Sequence, residues 1–528
     1  MERFSGFAQG IKARPRLAAI VLGLAAATGF PPLGLWPVTL LALGGLVWLI
    51  RTAPTMRAAA WTGWFFGVAH FTLANNWIAT AFTYQAEMPP VLGWLAVPLV
   101  SLYLAIYPAM ACAAGYHVAR RTTFLAGGIG FAGCWIVAEW LRSWVFTGYA
   151  WDPIGLALLG AWDRPGIAVL LPWMGTYALS GLAIVLGAGF VFLVQQRRGI
   201  AALLLAGLVT AGMVWPAPPA AQGTLNFTLV QPDLRQEELA DPSRYEDQFL
   251  RLAALSMPRH PVANRLVLWP ESGVPDYLRD GYPQRYYDSA TAGGDPRFAR
   301  FRIGRAIGAG SLLLTGATDL AIENGRAVGA YNTITALDSA GQIAGSYSKA
   351  HLVPYGEYLA LRWLLEPLGA SRLVAGTIDF LPGPGPRTLD LGPLGQAGMQ
   401  ICYEIVFSGQ VVDPRNRPDY IFNPSNDGWF GSWGPPQHLG QARMRAIEEG
   451  LPVLRSTTTG ISAVIDANGV VRSYIARHRA DRIDGLVPPA KPPTLFARTG
   501  NALALGWAFL ALVAALAASP VATRLRRR

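Results

Sequence analysis

Long apolar runs separated by short polar connections fill the first part of the chain, and one more run lies near its end. The runs cover residues 17–30, 33–50, 58–78, 91–116, 123–141, 167–194, 200–215 and 502–519. Most of them approach the about 20 residues that a helix needs to cross the hydrocarbon core of a bilayer. The pattern therefore predicts a polytopic α-helical membrane domain with eight transmembrane helices.

The polar block between the seventh and the eighth run has a different pattern. Short runs with strand character occur at 225–230, 265–269, 311–315, 332–337, 395–401, 420–422 and 462–465, and amphipathic helical patterns at 244–255, 297–307 and 436–449. Strands that alternate with helices indicate a layered α/β domain. We therefore expect a membrane domain with seven helices at 1–221, the α/β domain at 222–495, and an eighth helix with a basic tail at 496–528.

Composition and charge support this division. The chain is 52% hydrophobic and 14% charged, whereas soluble domains carry about 25% charged residues. Basic residues cluster at the ends of alternate runs, namely Arg3, Lys12, Arg14, Arg16, Arg51, Arg57, Arg120, Arg121, Arg197, Arg198, Arg524, Arg526, Arg527 and Arg528. Eight spans with a cytoplasmic N-terminus place every cluster in the cytoplasm. The net charge of +11 thus indicates membrane orientation and not nucleic-acid binding, and in a bacterium the α/β domain would face the periplasm.

One of the three cysteines stands apart from the others. Cys112 and Cys134 lie in apolar runs and are expected to be small buried hydrophobes. Cys402 is the only cysteine of the polar block, so it has no disulfide partner there and is either an inert core thiol or a nucleophile. It follows the strand-like run 395–401 directly, and the ends of strands are where α/β enzymes place reactive groups. This position favours a nucleophile.

Two further reactive groups also follow strand-like runs. Glu271 comes just after 265–269, and Lys349 ends the segment 345–349. Taken singly, either is more often a solvated surface charge. Together with Cys402, the two are expected to converge on one rim of a sheet. A Cys–His pair is an alternative from the residues alone, because His351 and His438 lie near the same segments.

Several segments around these residues resemble the nitrilase superfamily, and most closely its membrane branch, the apolipoprotein N-acyltransferases. They are Trp269-Pro270-Glu271-Ser272, 349–357, Cys402-Tyr403-Glu404, 425–431, 437–439, 442–446 and Arg455-Ser456-Thr457. The resemblance extends over nearly the whole chain, including the apolar runs. It implies an α-β-β-α sandwich for the polar block and a Glu–Lys–Cys triad formed by Glu271, Lys349 and Cys402.

The resemblance also implies the reaction. An acyl chain would pass from a phospholipid to a thioester on Cys402, and from there to the α-amine of the N-terminal diacylglyceryl-cysteine of an apolipoprotein. Glu271 would be the base, while Lys349 and the main-chain N–H of Tyr403 would stabilise the oxyanions. Glu357 and Glu404 match acidic positions of the family, and Glu357 would either hold Lys349 or assist the base. The histidines are then structural or face the substrate.

The expected setting is a multi-pass protein of the bacterial inner membrane that acts as a monomer, without a cofactor, a metal or a nucleic acid. Lipid access has its own candidates. The apolar segment 358–368 is interpreted as an arm on the outer leaflet with Trp363 at the interface, or else as core. Trp429 and Phe430 are expected to line an acyl groove, with core packing as the alternative, and His438 is a further candidate for substrate contact.

Two other functions compete with acyl transfer. A membrane-tethered nitrilase-type amidase would use the same triad with water and a small amide. A transporter with an outer substrate-binding domain would not be an enzyme. The apolar runs argue against the transporter, because they contain few charged residues and no pair of broken helices.

Overall fold

The computed structural model describes residues 14–84, 91–239, 241–260, 263–365, 367 and 378–518. The basic residues before 14 and after 518, which are predicted to lie in the cytoplasm, fall outside these ranges. Part of the 358–368 segment does so as well. The chain divides into two compact units. The helical unit comprises the residues up to 79, 90–217 and those from 494 onward, and the α/β unit comprises 80–89 and 218–493.

The helical unit consists of α-helices joined by short turns and 3-10 segments. Its α-helices are Pro15–Ala27, Trp36–Thr52, Met56–Ala74, Val91–Leu104, Ile106–Arg121, Phe124–Arg142, Leu171–Met174, Thr176–Gln195, Gly199–Val214, Leu495–Thr499 and Ala502–Ala517. The boundary between the units falls within the short helix Ile78–Ala81. Thr55 and Thr123 accept hydrogen bonds from the main-chain N–H groups of Ala58 and Ala126, and so cap the helices that follow them.

Each of the eight predicted apolar runs contains a helix. Within the described residues, 91–121, 124–142 and 176–195 are long and apolar enough to cross a membrane, and four shorter apolar helices begin at Pro15, Trp36, Gly199 and Ala502. A membrane-embedded helical region is therefore supported. The count of eight spans stays a prediction.

The run 167–194 is not one helix, and the prediction was wrong there. Its beginning forms a 3-10 turn and the short helix Leu171–Met174, and the long helix starts only at Thr176. Gly175 separates the two helices with a φ of 74°. Glycine adopts this conformation without the steric cost that a side chain would add, so the chain turns at this residue.

The α/β unit contains two six-stranded sheets. In the first sheet the strands are ordered β12-β1-β2-β3-β4-β5, and in the second β11-β10-β9-β8-β7-β6. The strands are β1 (Asn226–Gln231), β2 (Arg265–Leu268), β3 (Ser311–Glu323), β4 (Arg326–Asp338), β5 (Ile343–Ser348), β6 (Thr388–Asp390), β7 (Gln396–Met399), β8 (Tyr420–Ser425), β9 (Val453–Thr457), β10 (Ser462–Ile465), β11 (Val471–Ile475) and β12 (Asp481–Leu486). The expected α/β domain is confirmed, although β6, β9, β11 and β12 lie outside the predicted strand runs.

Each sheet contains three neighbouring parallel strands, and within a sheet this places their carboxyl ends at the same edge. In the first sheet β1, β2 and β3 are parallel neighbours, while β3–β4 and β4–β5 are antiparallel. In the second sheet β7, β8 and β9 are parallel. The carboxyl ends of parallel strands are the usual place for ligands and reactive groups in such sheets.

Helices cover the first sheet, and hydrogen bonds link the two sheets. The helices of this unit are Gln236–Leu239, Tyr245–Ser256, Gln284–Ala290, Pro296–Ile307, Arg362–Leu365 and Gly434–Glu449. Leu252 and Ile303 pack into one buried apolar cluster with Val267 of β2. Between the sheets, the Ser456 hydroxyl of β9 donates to the Val230 carbonyl of β1 at 2.7 Å. The two sheets therefore pack as neighbouring layers.

Candidate active site

Cys402 lies at a sharp turn just beyond β7. It is the first residue of the 3-10 turn Cys402–Val406, and its φ is 50°. Such left-handed backbone in a residue other than glycine costs on the order of 1–3 kcal/mol and persists only where the surroundings hold it. The holding contacts are a 3.0 Å hydrogen bond from His438 Nε2 to the Cys402 carbonyl and a 2.7 Å bond from the Ile401 N–H to Glu404. The thiol is buried as well.

Glu271 follows β2, beyond Trp269 and Pro270, and its carboxylate is buried. Asn332 Nδ2 donates to its Oε1 at 2.7 Å, and the Asn426 main-chain N–H donates to its Oε2 at 2.8 Å. Both carboxylate oxygens are thus oriented by donors from β4 and from the segment after β8. A carboxylate fixed in this way can accept a proton without first reorganising.

Lys349 follows β5 and is buried between two carboxylates. Its Nζ lies 3.0 Å from Glu357 Oε1 and 3.6 Å from Glu271 Oε1. Asn332 Nδ2 also donates to Glu357 Oε1 at 2.9 Å, so one amide contacts both acidic side chains. We refer to Glu271, Asn332, Lys349 and Glu357 as the lysine cluster. Of the two roles left open for Glu357, the geometry shows the contact with Lys349.

The sequence led us to expect the three triad residues on one rim of a sheet. The structure does not place them there. Glu271 and Lys349 follow strands of the first sheet, whereas Cys402 follows a strand of the second. Strand-like runs give no information on which sheet a strand joins, because pairing between distant segments decides it. The face-to-face packing of the sheets replaces the shared rim.

Glu404 joins the Cys402 turn to the Lys349 segment. Its Oε1 accepts hydrogen bonds from the Tyr347 hydroxyl and the Ala350 N–H, both at 2.7 Å, and its Oε2 accepts from the Ile401 N–H at 2.7 Å. A single buried carboxylate therefore fixes the distance between the strand ends that carry the amine and the thiol. Tyr403, its neighbour, is buried with its ring against Phe407.

Burial, with a contribution from Glu271, keeps the Cys402 thiol protonated at rest. Burial raises the pKa of the Cys402 thiol well above its ordinary value, and the Glu271 carboxylate raises it further, while Lys349 opposes the rise. Burial disfavours the ammonium of Lys349, but Glu357 and Glu271 outweigh it and raise the Lys349 pKa. At rest, the Cys402 thiol thus lies beside the Lys349 ammonium and its carboxylate partners. A base must therefore remove the thiol proton before sulfur can attack.

A second buried network lies behind Cys402, and sequence reasoning gave two of its members, Asp427 and Arg455, no role. Arg455 Nη2 donates to Asp427 Oδ1 at 2.7 Å and to His438 Nδ1 at 2.9 Å. Burial and the nearby Arg455 lower the pKa of His438, so its ring is neutral and Nε2 donates to the Cys402 carbonyl. We refer to Asp427, His438 and Arg455 as the arginine cluster.

The expectation of substrate contact for His438 stays a prediction. The ring is fully buried, and its Nε2 contacts the main chain of the nucleophile. Because this contact is to the carbonyl and not to the thiol, the geometry gives no support to the Cys–His alternative. Asn332 was also missed, although an asparagine in the middle of a strand is uncommon and was an available signal.

The remaining candidates for substrate contact fall at different depths. Trp363 and Leu364 are 76% and 45% exposed, while Leu359 of the same segment is buried. Phe430 is buried with its ring edge-on to His438, at 5.5 Å between centroids. Trp429 is half-buried and lies edge-on to Tyr84, at 5.9 Å. The exposure of Trp363 and Leu364, which we call the exposed tip of the 358–368 segment, agrees with the interpretation of this segment as an arm. The role of Trp429 and Phe430 in an acyl groove stays a prediction.

Two protein-family models match this chain, one in its N-terminal part and one in its polar part. Residues 22–189 match the apolipoprotein N-acyltransferase N-terminal domain, and residues 235–477 match the carbon-nitrogen hydrolase family. Among solved structures, a carbon-nitrogen hydrolase from Helicobacter pylori is similar at 14% identity and a TM-score of 0.36, over 54% of this chain and 94% of the other.

Curated relatives are similar over almost the full length. The apolipoprotein N-acyltransferase of Rhodopseudomonas palustris is 31% identical over 92% of this chain and 91% of its own length. That of Bradyrhizobium diazoefficiens is 33% identical over 95% of this chain and 94% of its own length. Similarity at this level over both units confirms the resemblance seen in the sequence. The chain belongs to the apolipoprotein N-acyltransferase family.

Proposed function

We propose that Cys402, Glu271 and Lys349 catalyse the acyl transfer that is the activity of this family, with a phospholipid as the donor and a thioester on Cys402 as the intermediate. The acceptor is the α-amine of the N-terminal diacylglyceryl-cysteine of an apolipoprotein. The observation that carries the proposal is the buried contact of Lys349 Nζ with Glu271 and Glu357, at 3.6 and 3.0 Å, beside a buried thiol.

In the first step, Glu271 takes the proton from the Cys402 thiol as sulfur attacks the donor ester carbon. The negative charge of the tetrahedral intermediate falls on the former carbonyl oxygen, where Lys349 and the Tyr403 N–H stabilise it. Such donors are worth roughly 3–4 kcal/mol each in other acyl-transfer enzymes. The intermediate then breaks its carbon–oxygen bond, and the leaving lysophospholipid oxygen takes the proton from Glu271.

In the second step, the amine of the acceptor attacks the thioester carbon and Glu271 accepts the amine proton. The carbon–sulfur bond breaks, an amide forms, and the thiolate regains the proton from Glu271. Dividing one transfer into two makes each step easier and predicts ping-pong kinetics. Glu357 keeps the Lys349 ammonium in place through both steps, and Glu404 fixes the two strand ends.

The test is mass spectrometry of the purified protein after incubation with a phospholipid. We expect a fatty-acyl adduct on Cys402 that disappears when an acceptor peptide with a diacylglyceryl-cysteine is added. An amidase would leave no acyl group from the phospholipid on Cys402. The adduct on any residue other than Cys402 would remove the nucleophile assignment.

The proposal extends to the membrane. The protein would cross the bacterial inner membrane eight times with both termini in the cytoplasm, and the 222–495 domain would face the periplasm, between the membrane parts 1–221 and 496–528. The basic residues at the run ends support this orientation. In a cysteine-less background, a reporter cysteine at Asp241 should then be labelled from outside and one at Arg198 from inside. Labelling of both from the same side would refute the span count.

A further inference from the structure

A polar cavity of about 370 Å³ lies in the α/β unit. Its wall contains Arg235 and Arg477 together with His478, and also Tyr84, Glu237 and Asp427. Arg235 and Arg477 come from segments far apart in the sequence, one after β1 and one after β11. The fold therefore brings two guanidinium groups to one concave surface, and nothing in the triad mechanism uses them.

The cavity lies next to the catalytic residues. Asp427 belongs to its wall, and the adjacent Asn426 donates its main-chain N–H to Glu271 Oε2 at 2.8 Å. Asn426 Nδ2 donates to Oε1 of Gln236, another wall residue, at 2.8 Å. Asp427 of the wall and Asn426, the partner of the catalytic base, are consecutive residues, so their Cα atoms are only about 3.8 Å apart. The Asn426 main chain also hydrogen-bonds the Cys402 thiol, so the cavity wall adjoins the nucleophile.

The charge of the cavity is suited to an anion. Asp427 of the wall pairs with the buried Arg455 at 2.7 Å and also interacts with Arg477, so its single charge is shared between these two arginines. Glu237 is the remaining carboxylate in the wall, against two arginines. Arg477 is held in position, since its Nη2 donates to the Gly431 carbonyl at 2.7 Å. The His478 N–H bonds the Thr459 carbonyl at 3.1 Å and fixes the same loop.

We propose that this cavity binds the phosphate group of the phospholipid acyl donor, with Arg235 and Arg477 contacting the phosphate oxygens. The inference rests on the proposed function, since it names the place of the donor headgroup. A guanidinium fork matches phosphate geometry better than other side chains do. In a glycerophospholipid only the glycerol carbons separate the phosphate from the acyl ester. A phosphate in the cavity therefore leaves the ester within reach of the nucleophile.

The experiment compares donors with and without phosphate. Phosphatidylglycerol and diacylglycerol with the same acyl chains are presented in detergent micelles, and acylation of Cys402 is followed by mass spectrometry as donor concentration varies. Phosphatidylglycerol is chosen because the phosphate is its only charged group. A short water-soluble thioester serves as a third donor that bypasses the headgroup. The variants are the double replacement Arg235→Gln/Arg477→Gln and the charge-preserving Arg235→Lys/Arg477→Lys.

We expect the glutamine variant to raise the apparent KM for phosphatidylglycerol by about tenfold, the order of effect of lost contacts to a charged group, with kcat nearly unchanged because uniform binding is lost. Diacylglycerol and the soluble thioester should react as with the unaltered protein. The lysine variant should recover most of the affinity. Arg479 is an exposed arginine of the same loop and lies outside the cavity wall. The variant Arg479→Gln is the matched control and should have no such effect.

Several outcomes overturn the inference. An equal loss with phosphatidylglycerol and diacylglycerol would show that the cavity does not recognise phosphate, and an increase of KM for the acceptor peptide alone would make it an acceptor site. Inorganic phosphate should compete with phosphatidylglycerol only. Inorganic phosphate could compete while the variants keep the same ratio of phosphatidylglycerol to diacylglycerol reactivity as the unaltered protein. That result would assign the cavity to free phosphate and not to the donor headgroup. Failure of the unaltered protein to take an acyl group from any phospholipid, while the soluble thioester still acylates Cys402, would instead refute the proposed function.

Discussion

The lysine cluster and the arginine cluster each bury one cation beside a carboxylate, yet they differ in how their charges are balanced. Arg455 faces a single carboxylate, Asp427, and also donates to Ser425 and His438. Lys349 faces two carboxylates, Glu271 and Glu357. The arginine cluster is neutral as a whole, whereas the lysine cluster carries one negative charge in excess.

This difference separates structural support from chemistry. A buried ion pair whose charges cancel gains rigidity and has little reason to exchange protons. A buried cluster with a surplus carboxylate contains a group that can act as a proton acceptor. The cluster with the surplus carboxylate contains Glu271, which acts on the Cys402 thiol. The neutral cluster contains His438, which holds the Cys402 backbone through its carbonyl. Breaking each cluster should therefore have a different consequence.

The largest effect should follow from removal of the sulfur itself. Cys402→Ser leaves the charges of both clusters unchanged, so the variant should fold and insert normally. Acyl transfer should fall below detection, because a serine hydroxyl is essentially un-ionised near neutral pH and is a far weaker nucleophile. Transferase assay and mass spectrometry measure the outcome. Near-normal activity in this variant would end the nucleophile assignment.

Breaking the lysine cluster at its proton acceptor should cost nearly as much. Glu271→Gln keeps the hydrogen bond to Asn332 but removes the base, so acylation of Cys402 should slow 10²–10⁴-fold, a range of about that size being typical of a lost general base. Glu357→Gln is the matched variant, because it contacts the same amine and the same asparagine. Its loss should be smaller, and equal losses would show that the two carboxylates share the role of base. Lys349→Met should also block acylation, through the loss of oxyanion stabilisation.

Breaking the arginine cluster should appear in stability before chemistry. Arg455→Met leaves Asp427 buried without its cation, and the loss of one partner of a buried pair costs about 3–5 kcal/mol. A thermal melt in detergent should show this as a marked drop in Tm. Lys349→Met should lower Tm less, because Asn332 still donates a hydrogen bond to each of the two carboxylates that remain. A larger drop for Lys349→Met would contradict the contrast drawn between the clusters.

The arginine cluster should also set part of the acid sensitivity of the fold. Although burial opposes it, Arg455 lowers the pKa of Asp427 from 3.8 to about 2. A depressed folded-state pKa gives stability that is present above the unfolded value and is lost as pH falls through the folded value. Between pH 3.8 and about 2, the unaltered protein should thus lose stability more steeply than Asp427→Asn. Parallel curves for the two proteins would remove Asp427 from this account.

The smallest effect on stability concerns the exposed tip of the 358–368 segment. Replacement of Trp363 and Leu364 by Ser should change the unfolding free energy by no more than about 0.5 kcal/mol, as at other surface sites. Transfer from bilayer phospholipid should nevertheless fall, while a soluble thioester donor should react as before. Leu359→Ser is the matched core control, since Leu359 is buried and its loss should cost about 2–5 kcal/mol. Joint failure of both donors in the Trp363 and Leu364 variant would make the tip ordinary core.

The sequence by itself determined the reactive groups and the local elements that present them. Apart from the beginning of 167–194, the apolar runs predicted helices in the right places, because burial in a lipid or protein interior acts on each run separately. Glu271, Lys349 and Cys402 were found because each follows a strand-like run and because the segments around them resemble one family. These signals are local, and local periodicity is what a sequence displays directly.

Only the tertiary structure decided which distant segments meet. It assigned Cys402 to a different sheet from Glu271 and Lys349, and it placed Asn332, from the interior of β4, between two carboxylates. It also assembled Asp427, His438 and Arg455 behind the nucleophile. Strand pairing and sheet packing depend on contacts between residues far apart in the chain, which no periodicity records. The sequence therefore named the reacting groups, and the packing of the two sheets determined their protonation states and their support.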